Sequence, residues 1–236
     1  MRPSRKLERL TKKINDTNLR RKVLDLLKDP TFSIDEEKHS GLSLDVSPAG
    51  KSNHHSYPGG YVEHVTSTAN IALAMCDSVE KVYHGRVNRN LVLAGVLLHD
   101  VFKPITYVAN KKGGYDSTRI GDYLDHLSIA TAELVRRGFP LELVHIVASH
   151  HGSYGPIRPH SVEALICHLA DYGDSRLNGE VLRAASYFAR KTIGQELCEL
   201  NSKDAFEIVR SKTVGDWNGV ARTIEKIEQR RRTRKP

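Results

Sequence analysis

Cysteine is scarce in this chain: Cys76, Cys167 and Cys198 are the only three in 236 residues, far apart and without Cys-x-x-Cys spacing. That excludes a disulfide framework and leaves buried, reduced thiols as the expectation. Aromatic side chains make up only 6%, and neither end of the chain interleaves them with basic residues as a base-stacking surface would. No apolar stretch reaches the roughly 18 residues of a membrane span. The opening MRPSRKLERLTKK lacks the apolar run of a signal peptide. Glu8, Asp16 and the lack of serine enrichment argue against a transit peptide. The expectation is a cytoplasmic protein without membrane contact. There is no alternation of strands and helices, no internal repeat and no low-complexity tract.

Charge of one sign is missing where it counts. The net charge is +8, but residues 1–30 carry ten Lys/Arg against four Asp/Glu and residues 210–236 carry nine against three. The long middle is therefore mildly acidic, at −4. Basic ends attract RNA or an acidic partner electrostatically. Solvated helix faces and a frayed tail are the simpler reading.

What is present is helical periodicity. Residues 4–28 read as helix, with Asp16 or Thr17 as a cap before NLRRKVLDLLKD and Pro30 as a stop. Residues 31–60 read as a long polar connection, of a length that tends to be functional or disordered. Helical patterns follow in VEHVTSTANIALAMCDSVEKVY, NRNLVLAGVLLHDVF, DYLDHLSIATAELVRRG, Leu141–Ser149 and HSVEALICHLADYGDSRL. Weaker ones cover 179–198 and 202–211, and Asp216 and Trp217 open a last amphipathic helix ending in RRRTRK. Ile105–Asn110 can fold back across Gly113–Gly114 as a short hairpin. The expected architecture is mostly α-helical: an N-terminal helix and connecting loop (1–50), a helical bundle (51–200) and a C-terminal extension with a basic tail (201–236).

Within the bundle stand His64, His99, Asp100, His126, His150 and Asp171, each at an edge of an apolar helical pattern. Imidazole and carboxylate are ligands for borderline divalent metals. A lone histidine is usually a satisfied or surface side chain, as expected here for His84, His145 and His160. An ordered series of six is another matter. The series resembles the H…HD…H…H…D signature of the HD-domain metal-dependent phosphohydrolases, and the resemblance extends from Asn53 to Arg176 through NHHSYPGGYVEH, LLHDVFKP, LDHLSIATAELV, VASHHG and HLADYGDSR. These blocks look like those of archaeal enzymes that open dihydroneopterin 2′,3′-cyclic phosphate in methanopterin biosynthesis, and of bacterial HD-type 3′→5′ exoribonucleases.

The resemblance implies two metal ions. His64, His99, Asp100 and Asp171 would hold the first; Asp100, His126 and His150 the second, with His151 replacing or supplementing His150. It also implies a phosphate contact for Lys103, although Phe102 replaces the glycine of the usual HDxGK. Pro104 disfavours helical geometry at Lys103, which frees that side chain toward the cleft. Two such ions activate water toward phosphorus, so Asp100 and Lys103 are the candidate catalytic residues. His54 and His55 are candidates for supplying the leaving alkoxide with a proton. Asp174 would orient an imidazole and Arg176 would receive a phosphate oxygen. The mixed donor set suits Mn²⁺, Fe²⁺ or Co²⁺, and resemblance to the pterin enzymes favours Fe²⁺. A small cyclic phosphate is the expected substrate. An exoribonuclease or nucleotide phosphohydrolase is the alternative; the exoribonuclease is disfavoured because the periodic part of residues 1–56 looks helical, without the strand alternation of the nucleic-acid module those enzymes usually carry. A non-catalytic nucleotide-binding domain is the third reading, disfavoured because every ligand position is filled.

Overall fold

The computed structural model describes residues 4–111, 113–195, 197 and 200–233; Cys198 and the tail residues Arg234 and Lys235 lie outside them. The fold is mostly α-helical, as expected. The N-terminal helical pattern is two helices, α1 (Arg5–Thr11) and α2 (Thr17–Lys28). Asp16 starts the second by accepting the Leu19 N–H at 2.9 Å, a cap that satisfies one of the unpaired donors of the first turn.

The polar connection that follows is not without structure. β1 (Phe32–Ile34) and β2 (Glu37–His39) form an antiparallel hairpin. Its turn residues Asp35 and Glu36 both have positive φ, 51° and 63°. Such a turn is ordinarily signalled by Asn-Gly or Asp-Gly, and Asp-Glu gives no such signal. The hairpin expected after Ile105 is present as β3 (Tyr107–Ala109) and β4 (Tyr115–Ser117).

The bundle comprises α3 (Gly60–Lys81), α4 (Arg89–Leu98), the single turn α5 (Arg119–Tyr123), α6 (His126–Arg136), α7 (Leu141–Ala148) and α8 (Val162–Ile193). α4 lies at its centre, touching α1, α2, α3, α7 and α8. Its residues Val92 to Leu98 are all buried, which explains why NRNLVLAGVLL carries no polar face. Asn88 caps it, accepting from the N–H groups of Asn90 and Leu91. Among the described residues no helix is long and apolar enough to cross a membrane.

α8 runs unbroken for 32 residues, where the sequence suggests a stop near Gly179. Polar positions 171, 174 and 178 interrupt its apolar pattern because they share one inward face, which serves the site described below. The C-terminal half of α8 packs against α9 (Ser202–Arg232). Together with Tyr57 these helices enclose a second core, of Leu182, Ala185, Ala189, Ala205, Ile208, Val220, Ile224 and Ile227. Gly215 and Asp216 leave helical geometry and fold α9 back on itself. Arg231 near its end reaches Asp204 near its start at 2.9 Å, and Arg230 reaches Glu207 at 2.6 Å. These ion pairs tie Arg230 and Arg231 to the start of α9; residues 234–236 of the tail, for which the sequence suggests fraying, lie outside the described residues.

Candidate active site

Five helices deliver the candidate ligands to one point. His64 lies in the second turn of α3. His99 caps α4 and Asp100 follows it. His126 is the first residue of α6, His150 stands two residues beyond α7, and Asp171 sits within α8. His64, His99, Asp100 and His150 are completely buried. Helix ends free side chains from the helical surface while the buried helix bodies hold the backbone still.

The donors form two groups that share Asp100. In the first, His64 Nε2 is 3.1 Å from His99 Nε2 and 3.2 Å from Asp171 Oδ1. Asp100 Oδ2 lies 3.5 Å from His64 Nε2 and 3.3 Å from His99 Nε2. In the second, His126 Nε2 and His150 Nε2 approach the other oxygen, Asp100 Oδ1, at 3.3 and 3.6 Å. His151 joins this group, its ring centroid 4.1 Å from that of His150 and 5.1 Å from that of His126. His126, His150 and His151 each offer a donor to a common point, so the structure brings both neighbouring histidines to the second group.

The outer nitrogens fix which lone pairs face inward. His99 Nδ1 donates to the Val96 carbonyl at 2.8 Å and His150 Nδ1 to the Val147 carbonyl at 2.7 Å. A carbonyl only accepts, so each Nδ1 carries a proton and Nε2 is the nitrogen turned toward the centre. His64 Nδ1 is held the same way by Asp174 Oδ2 at 2.7 Å, the orienting carboxylate that metal-ligating histidines ordinarily have. Imidazole nitrogens crowded against one another and a carboxylate need positive charge among them, from protons or from a metal ion. Among the described residues, both oxygens of Asp100, His126 Nε2 and His150 Nε2 are buried without a hydrogen bond of regular geometry. An all-nitrogen-and-oxygen donor set of this kind fits divalent metal ions, one group at each oxygen of Asp100.

Charge follows the same logic. Burial works against the His64 imidazolium, but Asp100, Asp171 and Asp174 outweigh it and hold its pKa well above the ordinary value. Burial likewise opposes the His99 cation, yet Asp100 and Asp171 raise its pKa to about 9. Burial would raise the pKa of Asp100, but His99, Lys103, His126 and His150 drive it well below the carboxylate range. The second group differs: burial, with the neighbouring Lys103 and His150, lowers His126, and burial with His150 and His126 takes His151 down to about 3.

The helix does not run on to Lys103 as the sequence suggested: α4 ends at Leu98, and Lys103 follows it after a turn. Its backbone lies in a single 3₁₀ turn, Lys103–Ile105, its neighbour Phe102 fills the core, and its ammonium stands 2.6 Å from Asp100 Oδ2. His54 and His55 also reach the site, with their rings 5.0 and 5.3 Å from that of His64 and their Nδ1 atoms 3.3 Å apart. Burial and the charge of His64 lower them to about 4 and about 3. They make no separate cage with His64, since both nitrogens of that ring are already committed. Arg176 is not brought in: it is exposed and pairs with Glu180 at 3.1 Å. Among the other histidines, His145 accepts the backbone N–H of His160 at 2.9 Å, and His84 is exposed.

Two contributors had no signal in the sequence. His168 donates from Nδ1 to the His150 carbonyl at 2.7 Å and packs against Gly152, where a Cβ would lie 2.4 Å from its ring. Tyr107 lies in the Lys103 corner, half-buried, with Lys51 Nζ 5.9 Å from its ring centroid and 2.6 Å from Ser117 Oγ.

The surrounding carboxylates favour a proton on the close His64–His99 pair, and a divalent ion must displace it. Calorimetric affinity for Mn²⁺ is expected to rise from pH 6 to pH 8, with measurable proton release into the buffer. An affinity that is flat over that range would contradict the charge assignment.

The HD domain family profile matches residues 61–175. The chain is 43% identical over 185 residues to the dihydroneopterin 2′,3′-cyclic phosphate phosphodiesterase of Methanocaldococcus jannaschii, covering 78% of this chain and 74% of that protein. It is 33% identical over 153 residues to the 3′-5′ exoribonuclease YhaM of Bacillus subtilis, covering 60% of this chain and 46% of that protein. The YhaM of Bacillus velezensis is similar at 34% identity over 154 residues, with the same coverage. The chain thus spans less than half the length of those exoribonucleases. No solved structure matches it. The matched segment contains all six converging histidines and aspartates, and the chain belongs to the HD-domain family as a metal-dependent phosphoric ester hydrolase.

Proposed function

We infer that this chain opens the 2′,3′-cyclic phosphate of a small molecule, specifically 7,8-dihydroneopterin, to a phosphomonoester. The observation that carries the reading is the 43% identity to the Methanocaldococcus phosphodiesterase over three quarters of both chains, together with two donor groups meeting on Asp100. His64, His99, Asp171 and Asp100 Oδ2 would hold one ion, and His126, His150, His151 and Asp100 Oδ1 the other. Fe²⁺ or Mn²⁺ suits such donors better than Mg²⁺, which prefers oxygen, or structural Zn²⁺ with its thiolates. Ions so held supply Lewis acidity toward the phosphoryl oxygens and make water a competent nucleophile at neutral pH. A cytoplasmic setting belongs to the same reading, supported by the buried free thiols Cys76 and Cys167 and the reducing conditions Fe²⁺ requires.

The protein's own groups do the rest. Asp100 orients both donor groups. The Lys103 ammonium neutralises charge as it builds on the phosphoryl oxygens, in a corner where water is sparse and the interaction correspondingly strong. Opening the ring releases an alkoxide, which needs a proton. His54 and His55 stand beside His64; burial keeps both neutral, so either would first take the proton that the attacking water loses and then pass it to the alkoxide. With Arg176 turned to Glu180, phosphate recognition falls to Lys103.

Protein reconstituted anaerobically with Fe²⁺ or Mn²⁺ is expected to convert dihydroneopterin 2′,3′-cyclic phosphate to the monoester much faster than it shortens RNA from the 3′ end. Processive RNA digestion outpacing ring opening would establish the exoribonuclease reading instead. Lys103→Met is expected to lower kcat by about 10²–10³, the scale of a lost oxyanion donor. Metal content, measured by elemental analysis, should stay unchanged. Near-normal turnover by that variant would remove Lys103 from the mechanism.

A further inference from the structure

The loop bearing His54 and His55 is fastened to the C-terminal helices, outside the segment that the HD profile matches. His55 is buried and has a positive φ of 45°, a conformation a non-glycine residue keeps only when its surroundings impose it. Its N–H donates to Asn178 Oδ1 at 2.7 Å. Its carbonyl accepts from the Ala49 N–H at 3.1 Å and lies where a Cβ on Gly60 would approach to 2.1 Å, so the second glycine of YPGG is needed for this fit. Asn178 belongs to α8 and is itself held: its Nδ2 donates to Ser202 Oγ, the first residue of α9, at 2.6 Å. Ser202 in turn shares a hydrogen bond with the Tyr57 hydroxyl. Asn178, Ser202 and Tyr57 are all buried. The chain of bonds therefore runs from α9 through α8 to the backbone of His55.

Each member is saturated by the next. The amide of Asn178 has its oxygen on the loop and its nitrogen on α9, and it cannot turn without breaking both bonds. Ser202 is kept in place by the N-terminus of α9, where Asn201 caps the Asp204 N–H at 3.0 Å. Arg230 and Arg231, returning from the far end of the kinked helix, hold Asp204 at 3.4 and 2.9 Å. The basic tail that looks dispensable in the sequence thus closes the element on which the loop hangs.

We propose that the α8–α9 pair is a working part of the active site, with Asn178 and Ser202 as positioning residues that fix His54 and His55 over the donor cluster. Its kinetic arm rests on the phosphodiesterase reading. Its proteolytic arm does not.

The test uses the full-length, Mn²⁺-reconstituted chain with Asn178→Ala and the milder Ser202→Ala. Limited trypsin digestion reads the loop directly, because Lys51 lies within it; cleavage after Lys51 is expected to quicken about tenfold as the loop opens locally. Turnover is compared on a 2′,3′-cyclic phosphate, which expels an alkoxide, and on bis(p-nitrophenyl) phosphate, whose phenolate leaves without a proton. Loosening the loop is expected to lower kcat on the cyclic phosphate by about 10–10², the scale of small misplacements, with KM and aryl ester turnover nearly unchanged. Equal losses on both substrates, or unchanged cleavage after Lys51 in both variants, would overturn the proposal. If the wild type fails to open any cyclic phosphate, the substrate reading falls and the trypsin result alone decides.

Discussion

A carboxylate with no exposure to water is the constraint on which this structure depends. Asp100 is completely buried, and a buried charge is tolerated only when paired and coordinated. Among the described residues neither of its oxygens has a hydrogen bond of regular geometry. Lys103 neutralises one side at 2.6 Å, while four imidazole nitrogens stand 3.3–3.6 Å away. The carboxylates favour a proton on the His64–His99 pair, which adds positive charge. Divalent ions would take the place of that proton and compensate Asp100 more fully. The site is organised around a deficit of positive charge, which a cofactor fills.

The fold is arranged to hold that deficit in place. Seven consecutive buried residues make α4 a rigid post whose end presents His99 and Asp100. Around it α3, α6, α7 and α8 each bring one or two groups. Each buried ligand except Asp100 is anchored by an outward contact: Val96 for His99, Val147 for His150, Asp174 for His64. These contacts orient rings that would otherwise rotate away from mutual repulsion.

Much of the site was legible because metal ligation restricts residue type and position so severely. Five residues at or near helix ends and Asp171 within α8 form an ordered series, legible through its resemblance to the H…HD…H…H…D signature. Even Asp174 was readable, as a carboxylate in the HLADYGDSR block able to orient an imidazole. Positions where any of several side chains could do the job were not. Asn178 and Ser202 act through ordinary amide and hydroxyl bonds between segments far apart in the chain, and neither has a motif. The β1–β2 hairpin uses Asp-Glu where the usual turn signal contains glycine. α8 persists through Gly173 and Gly179 because both cores pack on it, a tertiary effect that local propensity does not register. Arg176 carried the right chemistry for phosphate, but its position on α8 turns it to Glu180 and solvent.

The central claim is that Asp100 joins two metal sites, and counting metal tests it most directly. Protein reconstituted anaerobically with Fe²⁺ or Mn²⁺ and freed of excess ion should contain two ions per chain by elemental analysis. His126→Ala should retain one while remaining folded by circular dichroism. A wild-type chain that saturates at a single ion, or a His126→Ala variant that still holds two, would contradict the account.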